Sequence, residues 1–491
     1  MERFCLFLIF LVVGLSSHCQ TIIPIDKNSV QPESGILFAS SDKVLEETFQ
    51  WAKTMALSYA HDSNDPVGAW YEAALPQREA FCMRDVSHQA IGAHLLGLAK
   101  HNRNMMFRFA ENISDTKDWC SYWEINRHNR PAPADYTNDQ EFWYNLNANF
   151  DVVQACLKLY QWTGDAAYLN DPVFVDFYRR SLNEYVSHWQ LEPDKIMNRP
   201  QYMHQPQPFD ARNNFHTCRG LGSYVENFRG LAVGVDLVAT LYAGYRAYST
   251  LATLNGEDAI AQQAAQRADE YQELLESRWW NPAKSTYHTF WTADKTFHSG
   301  EGEPFILWFD ATKQPERIRA TVNSILSKEW NVENLSAFPT LLYRLQYAKE
   351  AYDKLVSLPH LNRAEYPEVS YGAIEGVIGG VMGIGAEASC RRIYTLPQLP
   401  GADTWAEVTD VPVFAGTISV RHTRNEASQL TNHTGETINW RASFKGKHTA
   451  LYVNNCSYTT FESIDELGNI VSYLFVEVKE GETISVKTHR V

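Results

Sequence analysis

The stretch that decides the fold is FWYNLNANFDVVQACLKLYQWTGDAAYLNDP, from Phe142 to Pro172. Its apolar residues recur every three or four positions, which is the period of an amphipathic helix. Gly164 can take the left-handed backbone conformation that ends a helix, and Asp165 or Asp171 can begin the next one. The stretch therefore predicts two helices joined by a short turn, a helical hairpin.

The same helical period recurs from about Asp42 to Gly385. Further examples are VLEETFQWAKTMALSYA (44–60), VDFYRRSLNEYVSHW (175–189) and LAVGVDLVATLYAGYRAYSTLA (231–252). At roughly 25 to 30 residues for each helix and its loop, this length predicts about a dozen helices. No repeat of fixed period is visible, so the sequence does not support a solenoid of TPR or ankyrin type.

After Gly385 the pattern changes to short alternating runs, among them GTISVRHT (416–423), TINWRASF (437–444) and VSYLFVEV (471–478). Polar turns such as NHTGE and KEGE separate these runs. Alternation with a period of two between turn signals is typical of antiparallel strands. We therefore predict a helical domain over residues 42–385 and a small antiparallel β-sandwich over residues 386–491.

The first 19 residues have the order of a secretory signal peptide: a cation at Arg3, an apolar run and small residues before Gln20. We expect cleavage after Cys19, an N-terminal extension over residues 20–41, and export to the periplasm or the medium. A lipid anchor on Cys19 is the alternative, although Ser16 and His18 make a poor lipobox. No later segment is apolar for long enough to span a membrane.

The charge and cysteine content exclude several classes of protein. Lys and Arg number 43 against 58 Asp and Glu, for a formal charge of -15, which repels phosphate backbones and argues against nucleic acid as a partner. The cysteines after the signal lack CxxC or zinc-like spacing, so we predict neither a metal centre nor a dense disulfide framework. We also predict no cofactor, and the oligomeric state is left open.

The loop from Trp119 to Tyr144 interleaves aromatic residues with acids and arginines. Aromatic rings stack on the apolar faces of sugar rings, while carboxylates, amides and guanidinium groups bond the hydroxyls. An aromatic-rich exported protein with such a loop is therefore expected to take a carbohydrate as its substrate. Trp123, Asp135 and Trp143 are the predicted sugar-binding residues of this loop.

Four segments carry a family resemblance: PQREAFCMRDVSHQ (76–89), TGDAAYL (163–169), GLGSYVENFRG (220–230) and EYPEVSYGAIEGVIGGVMGI (365–384). With the long helical run, they resemble the six-hairpin glycosidases, the (α/α)6-barrel enzymes that include rhamnosidases, trehalases and glucoamylases. PQRE is similar to the PQRxE segment of α-L-rhamnosidase-like families. The resemblance implies a mainly α fold, an (α/α)6 barrel followed by the β-sandwich, and hydrolysis of glycosidic bonds.

The sequence departs from the rhamnosidase-like pattern directly after this segment. The GD pair that follows PQRxE in those families is replaced here by Arg84-Asp85. Rhamnose specificity is therefore not implied. The Arg-Asp pair is instead similar to the one with which glucoamylase-like enzymes hold the non-reducing terminal sugar.

Glycoside hydrolysis needs one carboxylic acid that protonates the leaving oxygen and a second carboxylate that activates water or attacks the anomeric carbon. The resemblance favours inversion, with the acid in the middle of the barrel and the base near its end. Glu226 and Glu368 suit these positions and are the predicted catalytic residues. The alternative catalytic carboxylates are Glu79, Glu333 and Glu375, and Glu226 is also placed to stabilise the start of a helix.

We predict that Asp85, with Arg84, grips the terminal sugar, which makes the enzyme exo-acting. A purely structural N-cap on a helix that starts near Val86 is the alternative for Asp85. Arg78-Glu79 is predicted to be a supporting ion pair. Arg219, in the loop of Glu226, is a further predicted substrate-binding residue, because arginine suits the carboxylate of a uronic acid.

Two other functions remain open. The first is a uronate-specific hydrolase or a polysaccharide lyase, since related helical barrels carry both chemistries and Tyr224 or His216 is available as a base. The second is a glycan-binding protein without catalysis that uses the aromatic loops alone.

Overall fold

The computed structural model describes residues 34–74 and 78–490. The predicted signal peptide, most of the predicted N-terminal extension, and Pro76 and Gln77 of the PQRE segment lie outside the described residues. The helices are α1 (Lys43–Ser58), α2 (Met83–Leu95), α3 (Ala99–Glu111), α4 (Ala148–Thr163), α5 (Ala167–Asn170), α6 (Pro172–Leu182), α7 (Glu184–His188), α8 (Val235–Leu254), α9 (Asp258–Leu274), α10 (Pro304–Trp308), α11 (Pro315–Ser327), α12 (Val332–Arg344), α13 (Ala348–Ser357) and α14 (Pro367–Glu375).

The predicted helical hairpin is confirmed. Helix α4 ends at Gly164, whose φ of 67° is the left-handed conformation that glycine adopts without strain. The short helix α5 follows, and Asp171 then caps α6 by accepting a hydrogen bond from the N–H of Val173 at 2.9 Å. Pro172, the first residue of α6, has no N–H that would need a partner there.

Within the described residues, one set of helices packs in a closed ring. Helix α2 contacts α4, α4 contacts α8, α8 contacts α10, α10 contacts α12, α12 contacts α14, and α14 contacts α2 again. Helices α1, α3, α9 and α13 pack against members of this ring. The chain thus alternates between helices in the ring and helices that flank it, as expected for consecutive helical hairpins.

Two glycines allow α14 to approach its neighbours in the ring closely. A Cβ on Gly92 of α2 would lie 2.2 Å from the carbonyl oxygen of Tyr371 in α14. A Cβ on Gly372 of α14 would lie 2.4 Å from the carbonyl oxygen of Ser336 in α12. Helix α14 is therefore fixed against backbone on both sides.

Short strands precede and interrupt the helices. They are β1 (Leu37–Ser40), β2 (Ala60–His61), β3 (Trp70–Tyr71), β4 (Ala80–Cys82), β5 (Glu124–Asn126), β6 (Arg130–Pro131), β7 (Tyr136–Asn138), β8 (Glu141–Phe142), β9 (Tyr144–Asn145), β10 (Arg219–Leu221), β11 (Leu231–Gly234), β12 (Trp280–Asn281), β13 (Thr286–Tyr287), β14 (Phe290–Thr292) and β15 (Phe297–His298). Apart from β1, these strands pair in sheets of two or three strands in the long connections between helices.

The C-terminal strands are β16 (Gly385–Glu387), β17 (Arg392–Thr395), β18 (Trp405–Val413), β19 (Gly416–Thr423), β20 (Ala427–His433), β21 (Ile438–Lys445), β22 (Ala450–Val453), β23 (Cys456–Thr459), β24 (Phe461–Ile464), β25 (Ile470–Val478) and β26 (Thr483–Lys487). They form a seven-stranded sheet, β1-β18-β19-β20-β26-β22-β23, and a five-stranded sheet, β16-β17-β21-β25-β24. The predicted antiparallel pairing is confirmed for most neighbours, whereas β17 and β21 run parallel.

The predicted N-terminal extension also contributes a strand to this sheet. Strand β1 pairs antiparallel with β18, with Leu37 opposite Thr409 and Ser40 opposite Ala406. No local pattern in the sequence predicts a pairing between residues so far apart along the chain.

Buried histidines lie where the helices meet the sheets. The Nε2 of His94 in α2 lies 3.0 Å from the carbonyl oxygen of Pro412 in β18, and the Nε2 of His422 in β19 lies 2.9 Å from that of Met382.

Among the described residues, no helix is both long and apolar enough to cross a membrane. The cysteines in the same part of the chain are all free, and Cys82, Cys120, Cys156 and Cys218 are buried.

Candidate active site

Acidic side chains lie in the first turn of several ring helices. These first-turn acids are Asp85 in α2, Asp151 in α4, Asp236 in α8, Glu333 in α12 and Glu368 in α14. The N-terminus of a helix carries unpaired N–H groups and a partial positive charge, so it stabilises a carboxylate nearby. The N-terminal ends of the ring helices thus provide a set of carboxyl groups.

Arg84 and Asp85 stand together in the first turn of α2. The guanidinium of Arg84 donates to the Oδ1 of Asp85, at 3.1 Å from Nη2 and 3.3 Å from Nε. Helix α2 begins at Met83 with Cys82 as its N-cap, so the alternative of Asp85 as an N-cap near Val86 is wrong. Asp85 is free of a capping role and is buried.

Glu368 faces this pair from the first turn of α14. Burial, followed by the negative charge of Asp85, raises the pKa of Glu368 well above its ordinary value, while the charge of Arg84 opposes the rise. Because Coulomb energy falls with distance, these influences indicate that the three groups lie close together.

His88, one turn after Arg84, connects two of the first-turn acids. Its Nε2 lies 3.7 Å from the Oδ1 of Asp151, and its Nδ1 lies 4.0 Å from the Oε1 of Glu368. The hydroxyl of Tyr224 donates to the carboxylate of Asp151, with both oxygens at 2.6 Å. The guanidinium of Arg84 lies 5.7 Å from the centre of the Tyr224 ring, so these side chains form one connected group.

Glu226 lies in the turn between β10 and β11, and Asp236 fixes this turn. The Oδ1 of Asp236 accepts from the hydroxyl of Ser223 at 2.8 Å, and its Oδ2 accepts from the N–H of Tyr224 at 2.7 Å. Helix α8 begins only at Val235, after β11, so the alternative role of Glu226 at a helix start is wrong.

The Glu226 side chain reaches solvent but has protein around it. This partial desolvation raises the pKa of Glu226 to about 7, while Arg84 lowers it and Asp135, Asp85 and Glu333 raise it. The pKa of Glu368 responds to the same Arg84, Asp85 and Glu333. The two predicted catalytic carboxylates therefore share charged neighbours.

The predicted ion pair between Arg78 and Glu79 is wrong, because each residue pairs elsewhere. The Nη1 of Arg78 lies 2.9 Å from Glu124 and 3.5 Å from Asp135. Glu79 pairs with Arg127 at 2.7 Å. Arg78 therefore links the predicted sugar-binding Asp135 to the buried Glu124.

The alternative catalytic carboxylates Glu333 and Glu375 lie in different surroundings. Glu333 raises the pKa of both Glu226 and Glu368, and its Oε1 lies 3.6 Å from Arg363. Glu375, at the far end of α14, has Lys158 and Arg344 as its charged neighbours. Glu333 thus belongs with the first-turn acids, whereas Glu375 does not share their surroundings.

Three predicted sugar-binding residues are used inside the protein. The indole rings of Trp123 and Trp143 are buried and pack edge-on against Tyr144 and Phe215, with centroids 6.0 and 5.5 Å apart. Arg219 is also buried, and its Nε donates to Asp118 at 2.6 Å while its other nitrogens donate to Gln140.

Several buried polar atoms of the site have no hydrogen-bond partner within residues 34–74 and 78–490. They are the Nε2 of His88, one oxygen each of Glu124 and Glu333, and both oxygens of Glu368. Buried polar atoms in native proteins are almost always satisfied, so each of these calls for an explanation. A ligand with several hydroxyl groups would supply the partners, because a hydroxyl both donates and accepts.

Sequence reasoning missed His88, Asp151 and Tyr366. Tyr366 is buried, and its pKa is raised well above the ordinary value by burial and by the charges of Asp85 and Glu368. A signal for Asp151 was present, since it interrupts the apolar period of the Phe142–Pro172 stretch. His88 lies three residues after Asp85 and hence on the same helix face.

Comparison with known proteins supports the fold. No family model and no curated protein matches the sequence. The structure is similar to an α-L-rhamnosidase from Dictyoglumus thermophilum, with a TM-score of 0.61, 12% identity, and coverage of 93% of this chain and 50% of that chain. A family GH78 rhamnosidase of Bacillus sp. GL1 matches with a TM-score of 0.56, 15% identity, and coverage of 82% and 41%.

A protein described as a kojibiose phosphorylase from the human microbiome matches with a TM-score of 0.55, 10% identity, and coverage of 91% and 63%. The chain spans between 41% and 63% of the length of these three structures. At such identities the likeness is one of fold. The chain therefore shares its fold with these rhamnosidase and phosphorylase structures, in agreement with the resemblance that the motifs indicated, and no family is identified.

Proposed function

We propose that this chain is an exo-acting glycoside hydrolase that removes a terminal sugar by an inverting mechanism with two carboxyl groups. The observation that carries the proposal is the group of buried carboxyl groups around Arg84 and Asp85, in which several oxygens have no hydrogen-bond partner among the described residues. A sugar matches this group because its hydroxyls can bond several carboxylates at once. The closed ring of helices supports an (α/α)6 barrel, and the two C-terminal sheets support a β-sandwich.

In this proposal Glu226 is the general acid. A carboxyl group with a pKa of about 7 still carries a proton near neutral pH, as protonation of a leaving oxygen requires. Its access to solvent leaves room for the leaving group.

Glu368 is the proposed general base. It is more buried than Glu226; burial and the charge of Asp85 raise its pKa, and the positive charge of Arg84 opposes this rise and favours the ionised form that accepts a proton from water. Arg84 and Asp85 would grip hydroxyls of the terminal sugar, since one donates and the other accepts. The sugar would then lie between the proposed acid and the proposed base.

The charges favour a neutral sugar over a uronic acid. Around Arg84 the carboxyl groups of Asp85, Glu226, Glu333 and Glu368 outnumber the cations, so an anionic substrate would be repelled. Of the arginines of the central loop, Arg212 pairs with Asp210 and Arg219 with Asp118. Arg229 stacks on Phe215, and its buried Nη1 has no hydrogen-bond partner among the described residues, so Arg229 is the one arginine of this loop that a uronate or a polysaccharide lyase mechanism could use.

The test uses aryl glycosides of neutral sugars, α-L-rhamnosides among them, and aryl uronides. Each sugar is offered with a good and with a poor leaving group. Glu226→Gln is expected to slow the poor leaving group by about 10²- to 10⁴-fold and the good one much less, because a good leaving group needs little protonation. Glu368→Gln is expected to slow both equally.

Glu79→Gln is the matched control, since Glu79 is an exposed carboxylate that is paired with Arg127. It should retain most of the activity. Proton NMR of the first product should show inversion at the anomeric carbon, and added phosphate should not raise the rate. Full activity of both the Glu226 and the Glu368 variants would reject the assignment, and an ultraviolet-absorbing product would indicate a lyase.

We also propose that the enzyme is exported, which the sequence of residues 1–19 supports. Fractionation of the native host should recover the mature protein outside the cytoplasm, with Gln20 as its first residue.

A further inference from the structure

A second cluster of ligand-type side chains lies away from the first-turn acids. Asp118, His188 and His204 each present one ligand atom, and these atoms lie within 4.8 Å of one another. The three residues come from the loop after α3, the end of α7 and the long segment that follows it. Their wide separation along the chain explains why the cysteine and histidine spacing predicted no metal centre.

The distances fit a small divalent cation. The Nε2 atoms of His188 and His204 lie 3.0 Å apart, and the Nε2 of His188 lies 3.3 Å from the Oδ1 of Asp118. Zinc binds nitrogen and oxygen at about 2.0 to 2.2 Å in a tetrahedron, which puts neighbouring ligand atoms roughly 3.3 Å apart. The third pair of ligand atoms, those of His204 and Asp118, lies within 4.8 Å, so these atoms must approach each other by at most about 1.5 Å to share one ion.

The surroundings orient all three ligands. The indole N–H of the buried Trp189 donates to the carbonyl oxygen of Asp118 at 2.9 Å, and its ring packs edge-on against both imidazoles, with centroids 5.3 and 4.5 Å away. Arg219 donates to the Oδ2 of Asp118 at 2.6 Å, and the other carboxylate oxygen, Oδ1, faces His188. Such outer contacts are what hold the ligands of metal sites in place.

We propose that Asp118, His188 and His204 form a zinc site that ties the segment after α7 to the loop after α3. The ligand atoms are partly exposed, so water can complete the tetrahedron as a fourth ligand. We assign the ion a structural role. It would hold in place the strand that begins at Arg219, which leads directly into the turn that carries Glu226. This proposal is independent of the proposed glycosidase activity.

The test is made on the full chain with Cys390→Ser and Cys456→Ser, since these exposed thiols would themselves bind zinc. After treatment with a chelator and its removal, zinc is titrated by calorimetry, and cobalt is titrated by visible absorption, which reports tetrahedral coordination. We expect one ion per chain and a melting temperature that rises with the zinc concentration.

His188→Ala and His204→Ala are expected to lose this binding, whereas Arg219→Met should weaken it by about 10- to 100-fold. His433→Ala, which removes an exposed histidine of β20, is the matched control and should bind as the parent chain does. Circular dichroism checks that each variant is folded, and His204→Asn replaces any alanine variant that is not.

Absence of heat and of cobalt absorption in the parent chain would overturn the proposal. Unchanged zinc affinity in both folded histidine variants would overturn it as well. In either case the two imidazoles would be joined by a hydrogen bond alone.

Discussion

At the scale of single residues, the buried carboxylate of Asp151 depends on one hydroxyl. Tyr224 donates to both of its oxygens at 2.6 Å, and both residues are buried. Tyr224→Phe leaves this carboxylate without its donor, which should lower the free energy of unfolding by about 1 to 3 kcal/mol. Urea denaturation measures the loss. Tyr458→Phe, at a tyrosine that is 52% exposed, should change the stability little, and equal losses in the two variants would contradict the expectation.

The pKa of Glu226 provides a second residue-scale prediction. With a pKa of about 7, Glu226 loses its proton above neutral pH, so the activity of the enzyme should decline there. The charge of Arg84 lowers this pKa, so Arg84→Met should raise it and move the alkaline decline of kcat/KM to higher pH. Arg84→Lys keeps the charge and should leave the decline near its original pH. A decline at the same pH in all three proteins would show that another group controls it.

The sequence predicted part of the site and could not predict the rest. The Arg84-Asp85 pair and Glu368 lie close together because each follows the start of a ring helix, and motif resemblance was enough to select them. The contact between His88 and Asp151 depends on the packing of α2 against α4, which no local pattern reveals. The contact of Arg219 with Asp118 was unpredictable for the same reason, since the two residues are 101 positions apart.

At the scale of elements, the packing of α14 should control the distance between Glu368, the proposed base, and the Arg84-Asp85 pair, which is proposed to bind the terminal sugar. A Cβ on Gly92 would lie 2.2 Å from backbone of α14, so Gly92→Ala must push α2 and α14 apart. We expect a loss of stability of about 1 to 3 kcal/mol and a clear fall in kcat, because the two helices carry Asp85 and Glu368. Thermal unfolding and steady-state kinetics measure the two effects.

Gly379 is the matched control, because a Cβ there would meet its nearest atoms at 3.9 Å. Gly379→Ala should leave kcat close to that of the parent chain.

The helices themselves were predictable from apolar periodicity, and Gly164 and Asp171 act as the predicted helix end and start. The order in which the ring helices contact one another was not predictable from periodicity, since it depends on close approaches such as that of Gly92.

At the scale of the whole molecule, acid should loosen the junction between helices and sheets. Burial lowers the pKa of both His94 and His422 to about 4, against about 6.5 in the unfolded chain. Above about pH 6.5 both states hold the rings neutral, so stability is complete. As the pH falls from 6.5 towards 4, the unfolded state binds protons that the folded state excludes, at a cost on the order of 3 kcal/mol for each ring.

Chemical denaturation between pH 7 and pH 4 measures this decline. His422→Gln removes one of the two groups and should make the decline shallower, whereas His433→Gln, at an exposed position, should not. An unchanged slope in the His422 variant would mean that carboxyl groups alone govern the acid response.

The pairing of β1 with β18 can form only after β18 has been synthesised. The hydroxyl of Ser40 donates to the carbonyl oxygen of Trp405 across 365 positions of the chain. At about 5 to 20 residues per second, synthesis reaches that partner roughly 20 to 70 s after β1 has been made. During this interval the ring helices can assemble, whereas β1 remains an unpaired strand. A chain that stops early would keep that strand unpaired, which marks it for capture by chaperones or by other unfinished chains.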